Sequence, residues 1–187
     1  MPDFTVTDGI ITQISKQYNI PENRVRNIQT LYNDLVSDMS HQYLAHIIRT
    51  MEGRLKKVSN NPMFHIVCSP IDKSSKELGI ARAQYYKNRY FAIYYHPNTN
   101  EKQLRVLLAH ELGHLFLIET VNSMFDEQYN EKSIVEPTST IFGIFAILDK
   151  NDFYYNKTAS FKHKSPDEVL ADFYLLHNRD KNILNIS

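Results

Sequence analysis

Arg105-Val106-Leu107-Leu108-Ala109-His110-Glu111-Leu112-Gly113-His114 carries the reading of this chain. Its last five residues form an H-E-x-x-H motif. The apolar residues before it, and Leu115, Phe116, Leu117 and Ile118 after it, continue as one helical run. Residues four apart share a helical face, one turn above each other. His110 and His114 are therefore placed to grip one metal ion. Glu111 is turned about 100° from His110, so it leans toward a bound water rather than joining the ligands. Two imidazoles fixing an ion, with a carboxylate able to take a proton, is the arrangement of a zinc hydrolase. A polar trio in so apolar a helix is costly unless something satisfies it, and a metal does. Asn100-Glu101-Lys102-Gln103 supplies the helix start, with Asn100 as N-cap and Gln103 at N3 in the manner of a capping box.

A catalytic zinc usually takes three protein ligands. Leu117 and Thr120 stand where a metzincin would continue with Gly and His, which excludes that class. The gluzincin alternative takes a Glu from a second helix, and Ser165-Pro166-Asp167-Glu168-Val169-Leu170-Ala171-Asp172 fits it. Glu168 would be the third ligand. Asp172, four residues on, would accept a hydrogen bond from a ligand imidazole and fix its tautomer. A competing reading needs no metal: Ser165 as N-cap, Pro166 at N1 and Glu168 at N3 make a capping box by themselves. Glu136, His163, Glu119 and His177 stand in reserve as third ligands. His41 and His46 are five apart, a spacing that points them in different directions on a helix and makes a poor metal pair.

The 21 basic residues balance the 21 acidic ones, which argues against a broad basic surface for nucleic acid or anionic membrane. Residues 14–26 have a helix-turn-helix rhythm, but the first forty residues are net acidic, the wrong sign for phosphate contacts. No apolar stretch reaches the ~20 residues of a membrane helix. Cys68 is the single cysteine, as suits a reducing compartment, and the first residues show no signal-peptide pattern. The expectation is a cytoplasmic protein without a direct nucleic-acid or membrane partner.

Periodicity divides the chain into a helical N-terminal region, residues 1–59, and a domain spanning 60–187. Ile10 to Tyr18 is a short amphipathic run. Val25 to Lys57 is periodic but too long for one globular helix, so a break is expected within it. Phe64 to Cys68 reads as a strand, and Ala81 to Tyr86 and Tyr90 to Tyr95 as a hairpin. Phe91, Ile93 and Tyr95 alternate with Ala92 and Tyr94 as a half-buried strand would. Ile141 to Leu148 is a buried strand or a helix, Asp149 to Ser165 an exposed loop, and the Glu168 helix runs to about His177. The expected fold class is α+β, with a small, mostly antiparallel sheet packed on the motif helix.

Strand, hairpin, the A-H-E-L-G-H helix and a later Glu168-x-x-Ala171-Asp172 together resemble the ImmA/IrrE family of metallopeptidases over roughly residues 60 to 180. The resemblance implies a zincin-like, gluzincin-type domain that is zinc-dependent and cytoplasmic. His110, His114 and Glu168 would be its ligands and Glu111 its base. It implies an endopeptidase acting on a protein substrate, with a cognate transcriptional repressor of a mobile element as the expected partner. It also implies an insertion within residues 120–164, because His114 and Glu168 lie further apart than is usual there. Two other classes compete: a partner-binding regulator with a closed structural zinc site, and a toxin or effector without peptidase turnover. Glu111 favours catalysis, since a structural zinc site has no use for a base.

Overall fold

The computed structural model describes residues 6–36, 44–58, 60–70, 81–86, 90–95, 97, 99–121, 132–149 and 165–184. Three helices open the chain: α1 (Asp8–Tyr18), α2 (Glu22–Val36) and α3 (Leu44–Val58). Asn19 ends α1 in the left-handed conformation at φ 53°, and Ile20 N–H reaches back to the Ser15 carbonyl. Asn tolerates that region better than most residues, and Pro21 prevents the helix from continuing. The long periodic stretch is described as two helices, α2 and α3, and residues 37–43 lie outside the described residues.

Strands β1 (His65–Pro70), β2 (Ala81–Tyr86) and β3 (Tyr90–Tyr95) form one sheet in the order β1-β3-β2. The β2–β3 hairpin is antiparallel, as expected, with Ala81 opposite Tyr95 and Tyr86 opposite Tyr90. The expectation of a mostly antiparallel sheet is corrected at the other edge. There β1 runs parallel to β3, with His65 opposite Tyr90 and Pro70 opposite Tyr95. This puts β3 in the middle of the sheet. Phe91, Ala92 and Ile93 are consequently all buried, so β3 is not the half-buried strand its alternation suggested.

Helices α4 (Glu101–Val121), α5 (Lys132–Asp149) and α6 (Pro166–Leu184) complete the described fold. The capping box that starts α4 is present: Gln103 N–H donates to Asn100 Oδ1 at 2.9 Å, and Asn100 N–H to Gln103 Oε1 at 3.2 Å. Every residue from Leu104 to Phe116 is buried, and so is every residue from Thr138 to Leu148. Helices apolar around their whole circumference belong in the middle of a fold. Here α4 and α5 lie against each other, with α3, α6 and β3 around α4, and α2 and α6 against α5. The segment from Ile141 to Leu148 is thus helical. Its Ile and Phe content fits a buried strand as well as a buried helix, and only the tertiary setting separates the two.

The first three helices share a core with the rest. Ile11, Ile14, Val25, Ile28, Tyr32, Met51 and Leu55 belong to the same buried cluster as Leu108, Phe142 and Phe173. Tyr32 meets the Phe142 ring edge-on at 5.2 Å and donates its hydroxyl to Asp149 Oδ2 at 2.6 Å. Burial, and then the Asp149 charge, push the Tyr32 hydroxyl pKa far up. Polar ties cross in the same direction. Arg24 Nη2 donates to Thr138 Oγ1 at 3.3 Å, and Gln17 Nε2 to the Leu170 carbonyl at 3.2 Å. No helix among the described residues is long and apolar enough to cross a membrane.

Candidate metal centre

Helix α4 brings His110, Glu111 and His114 together, all buried, with one possible ligand atom from each lying within 4.8 Å of the others. This group could hold a metal ion. The two imidazoles meet at a steep angle, 78° between planes, with their Nε2 atoms 3.1 Å apart. The Glu111 charge, after burial, is the second cause that pushes the Cys68 thiol on β1 up to about 11.

A second carboxylate reaches the pair from α5. Glu136 Oε2 lies 3.3 Å from His110 Nε2, and Glu136 Oε1 lies 3.7 Å from His114 Nε2. Hydrogen bonding to His110 and then to His114 holds the Glu136 carboxyl well below the usual carboxylate range, and burial opposes this only in part. Its side chain is half-exposed, so the group is closed on the α4 side and open beside Glu136. The spacing can be tested against an ion. Tetrahedral bonds of about 2.0–2.2 Å separate neighbouring donor atoms by roughly 3.3–3.6 Å. The nitrogen–nitrogen separation of 3.1 Å and the nearest nitrogen–oxygen distances, 3.3 Å to Oε2 and 3.7 Å to Oε1 of Glu136, lie near that range.

The outer nitrogens of both rings also face α5. His110 Nδ1 is 3.1 Å from Thr140 Oγ1, and His114 Nδ1 is 3.1 Å from Ser139 Oγ. Ser139 and Thr140 are fully buried. The Thr140 hydroxyl also donates to the Glu136 carbonyl at 2.9 Å, the back-bond of a helical Thr to the residue four before it. Three successive hydroxyls on α5 are thereby engaged, Thr138 accepting from Arg24 and the next two each paired with an imidazole.

Two glycines let α5 come this close. A Cβ on Gly113 would lie 2.5 Å from the Ser139 carbonyl oxygen and 2.6 Å from its Cα. A Cβ on Gly143 would lie 2.8 Å from the Ala109 carbonyl oxygen and 2.9 Å from His110 N. The backbones touch where any side chain would hold them apart, and that contact delivers Glu136, Ser139 and Thr140 to the histidines.

The two residues expected from α6 have these contacts. Glu168 Oε2 accepts from Ser165 N–H at 3.2 Å, and Glu168 N–H donates to Ser165 Oγ at 3.3 Å. That is the capping box, the metal-free alternative for this residue. Asp172 Oδ1 pairs with Lys102 Nζ at 2.7 Å and ties α6 to the first turn of α4. The carboxylate beside the imidazoles is that of Glu136, and the groups on their outer nitrogens are Ser139 and Thr140. Sequence reasoning held Glu136 only in reserve and did not single out the two hydroxyls. Their signal was the four-residue spacing of Glu136 and Thr140 just before an apolar run containing Gly143, which becomes legible once that run is known to be a helix. His163 lies outside the described residues, as do the side chains of Glu119, His177, His41 and His46. Comparison with protein families, with curated proteins and with solved structures yields no match to this chain.

Proposed function

We propose that this chain is a zinc-dependent endopeptidase in which His110, His114 and Glu136 hold the metal and Glu111 is the general base. One observation carries the reading: two imidazole Nε2 atoms and a carboxylate from a second helix converge at separations of 3.1, 3.3 and 3.7 Å, beside a buried Glu111. Two nitrogens and one carboxylate oxygen suit zinc better than the harder, oxygen-preferring cations. Zinc, when bound, supplies Lewis acidity and a nucleophile usable at neutral pH.

The chain's own residues do the rest. The Glu111 carboxylate takes the proton of the attacking water and returns it to the leaving amine nitrogen. The buried α4 excludes solvent from behind the imidazoles, so among the described residues the side beside Glu136 is where substrate would approach. The site is then zincin-like, with α5 as its second helix. The resemblance to the ImmA/IrrE family extends the proposal to a protein substrate, a cognate repressor or regulator. Placing the third ligand at Glu136 also shortens the distance along the chain from His114, which removes the need for an insertion before the ligand.

Elemental analysis and a quenched-fluorescent peptide library test this reading on the full chain. The expected result is about one zinc per chain, and a Glu111→Gln variant that keeps the zinc while turnover falls at least ~100-fold. Undiminished cleavage by Glu111→Gln would remove the proposed base. Failure to take up zinc, even when it is added back, would remove the enzyme reading altogether.

A further inference from the structure

We infer that Thr140 is a positioning residue that sets which nitrogen of His110 faces the metal. The inference rests on the metal site proposed above. A hydroxyl has one proton to give, and that of Thr140 goes to the Glu136 carbonyl at 2.9 Å. Toward the imidazole, 3.1 Å away, Thr140 Oγ1 can therefore only accept. His110 must carry a proton on Nδ1 to make that bond, so in the neutral ring the lone pair that can face a metal is on Nε2.

That lone pair faces His114 Nε2 at 3.1 Å and the Glu136 carboxylate at 3.3 Å. Electron pairs crowded in this way repel each other unless a proton or a metal cation lies between them. The Thr140 hydroxyl thus selects the tautomer that makes the site a cation site. It also ties the backbone of one ligand, Glu136, to the ring of another, His110, so the two ligands are set by a single side chain. At His114 the Ser139 hydroxyl stands 3.1 Å from Nδ1 and is itself fully buried. Losing the buried Thr140 acceptor strands an N–H and loosens the His110 ring.

The test uses the full chain, a chelator-competition titration with zinc, and nitrogen-15 NMR of the zinc-loaded protein. Thr140→Val keeps the shape and removes the acceptor. It is expected to weaken zinc binding about 10–100-fold and to abolish the exchange-protected His110 Nδ1–H resonance. Thr140→Ser restores the hydroxyl and is expected to recover both. Ser139→Ala, which leaves the Thr140 acceptor in place, is expected to leave the His110 resonance unchanged.

Wild-type zinc affinity with a retained Nδ1–H in Thr140→Val would overturn the role of Thr140 while leaving the metal site standing. If Thr140→Val does not fold, wild type decides: no exchange-protected His110 Nδ1–H in the zinc-loaded protein overturns the inference. Failure of wild type to bind zinc would instead overturn the metal reading on which it rests.

Discussion

Two helices offer a glutamate near their start, and the two are used in opposite ways. In α6, Glu168 closes a box with Ser165 three residues before it. In α5, Glu136 meets two imidazoles that are 26 and 22 positions away along the chain. One turn further on, α6 offers Asp172 to the Lys102 ammonium, whereas α5 offers Thr140 to the His110 ring. Spacing along the helix is the same in both. What differs is how near each helix comes to α4: α5 arrives backbone to backbone through Gly113 and Gly143, and α6 is joined to α4 through a long lysine. Which carboxylate meets the imidazoles is set by helix approach.

The glycine contacts should therefore give the largest effects. Gly113→Ala and Gly143→Ala would each drive a methyl into backbone atoms, at 2.5 and 2.8 Å, which cannot swing aside. The expected cost is about 2–3 kcal/mol or more in urea unfolding of the metal-free protein. Zinc affinity should fall with it, since separating the helices withdraws Glu136. Gly53 on α3 is the control, because a Cβ there meets nothing within 4 Å. Gly53→Ala should raise stability by about 0.5–1 kcal/mol through helix propensity, with zinc binding unchanged. If all three substitutions behaved alike, close approach would not be what separates α5 from α6.

This also explains what could be read in the sequence. The motif helix, its Asn100–Gln103 cap and the β2–β3 hairpin were legible because each is decided within a few residues. The Ser165–Glu168 box was legible for the same reason, although a second use of Glu168 competed with it. The parallel pairing of β1 with β3 was not legible, because it depends on which edge of a hairpin a distant strand joins. Nor was the partnership of Glu136 with the histidines. Its helix had no decisive period, since residues 138–148 are buried on every side and show no polar face.

Exchanging the two glutamates gives the next effect in size and bears on the comparison directly. Glu136→Gln removes the charge that faces both Nε2 atoms and should weaken zinc binding at least ~100-fold, about 2.7 kcal/mol. Glu168→Gln should leave zinc affinity unchanged, because a glutamine oxygen still accepts from Ser165 N–H and preserves the capping box. Chelator competition on the two variants reads both. The reverse result, with zinc lost from Glu168→Gln and kept by Glu136→Gln, would return the third ligand to α6.

Ser165→Ala should give the smallest effect and marks how local the α6 start is. It removes the hydroxyl that accepts from Glu168 N–H and should cost about 1 kcal/mol, in line with the loss of an N-cap serine. The same end of α6 is held from α1, where Gln13 Nε2 donates to Asp167 Oδ1 at 2.8 Å and Gln17 Nε2 to the Leu170 carbonyl. Those ties do not pass through the cap, so the helix should stay in place and zinc affinity should not change. A measurable drop in zinc affinity would mean that the α6 start is coupled to the imidazoles after all. The two glutamates would then belong to one connected site, and helix approach alone would not account for the difference between them.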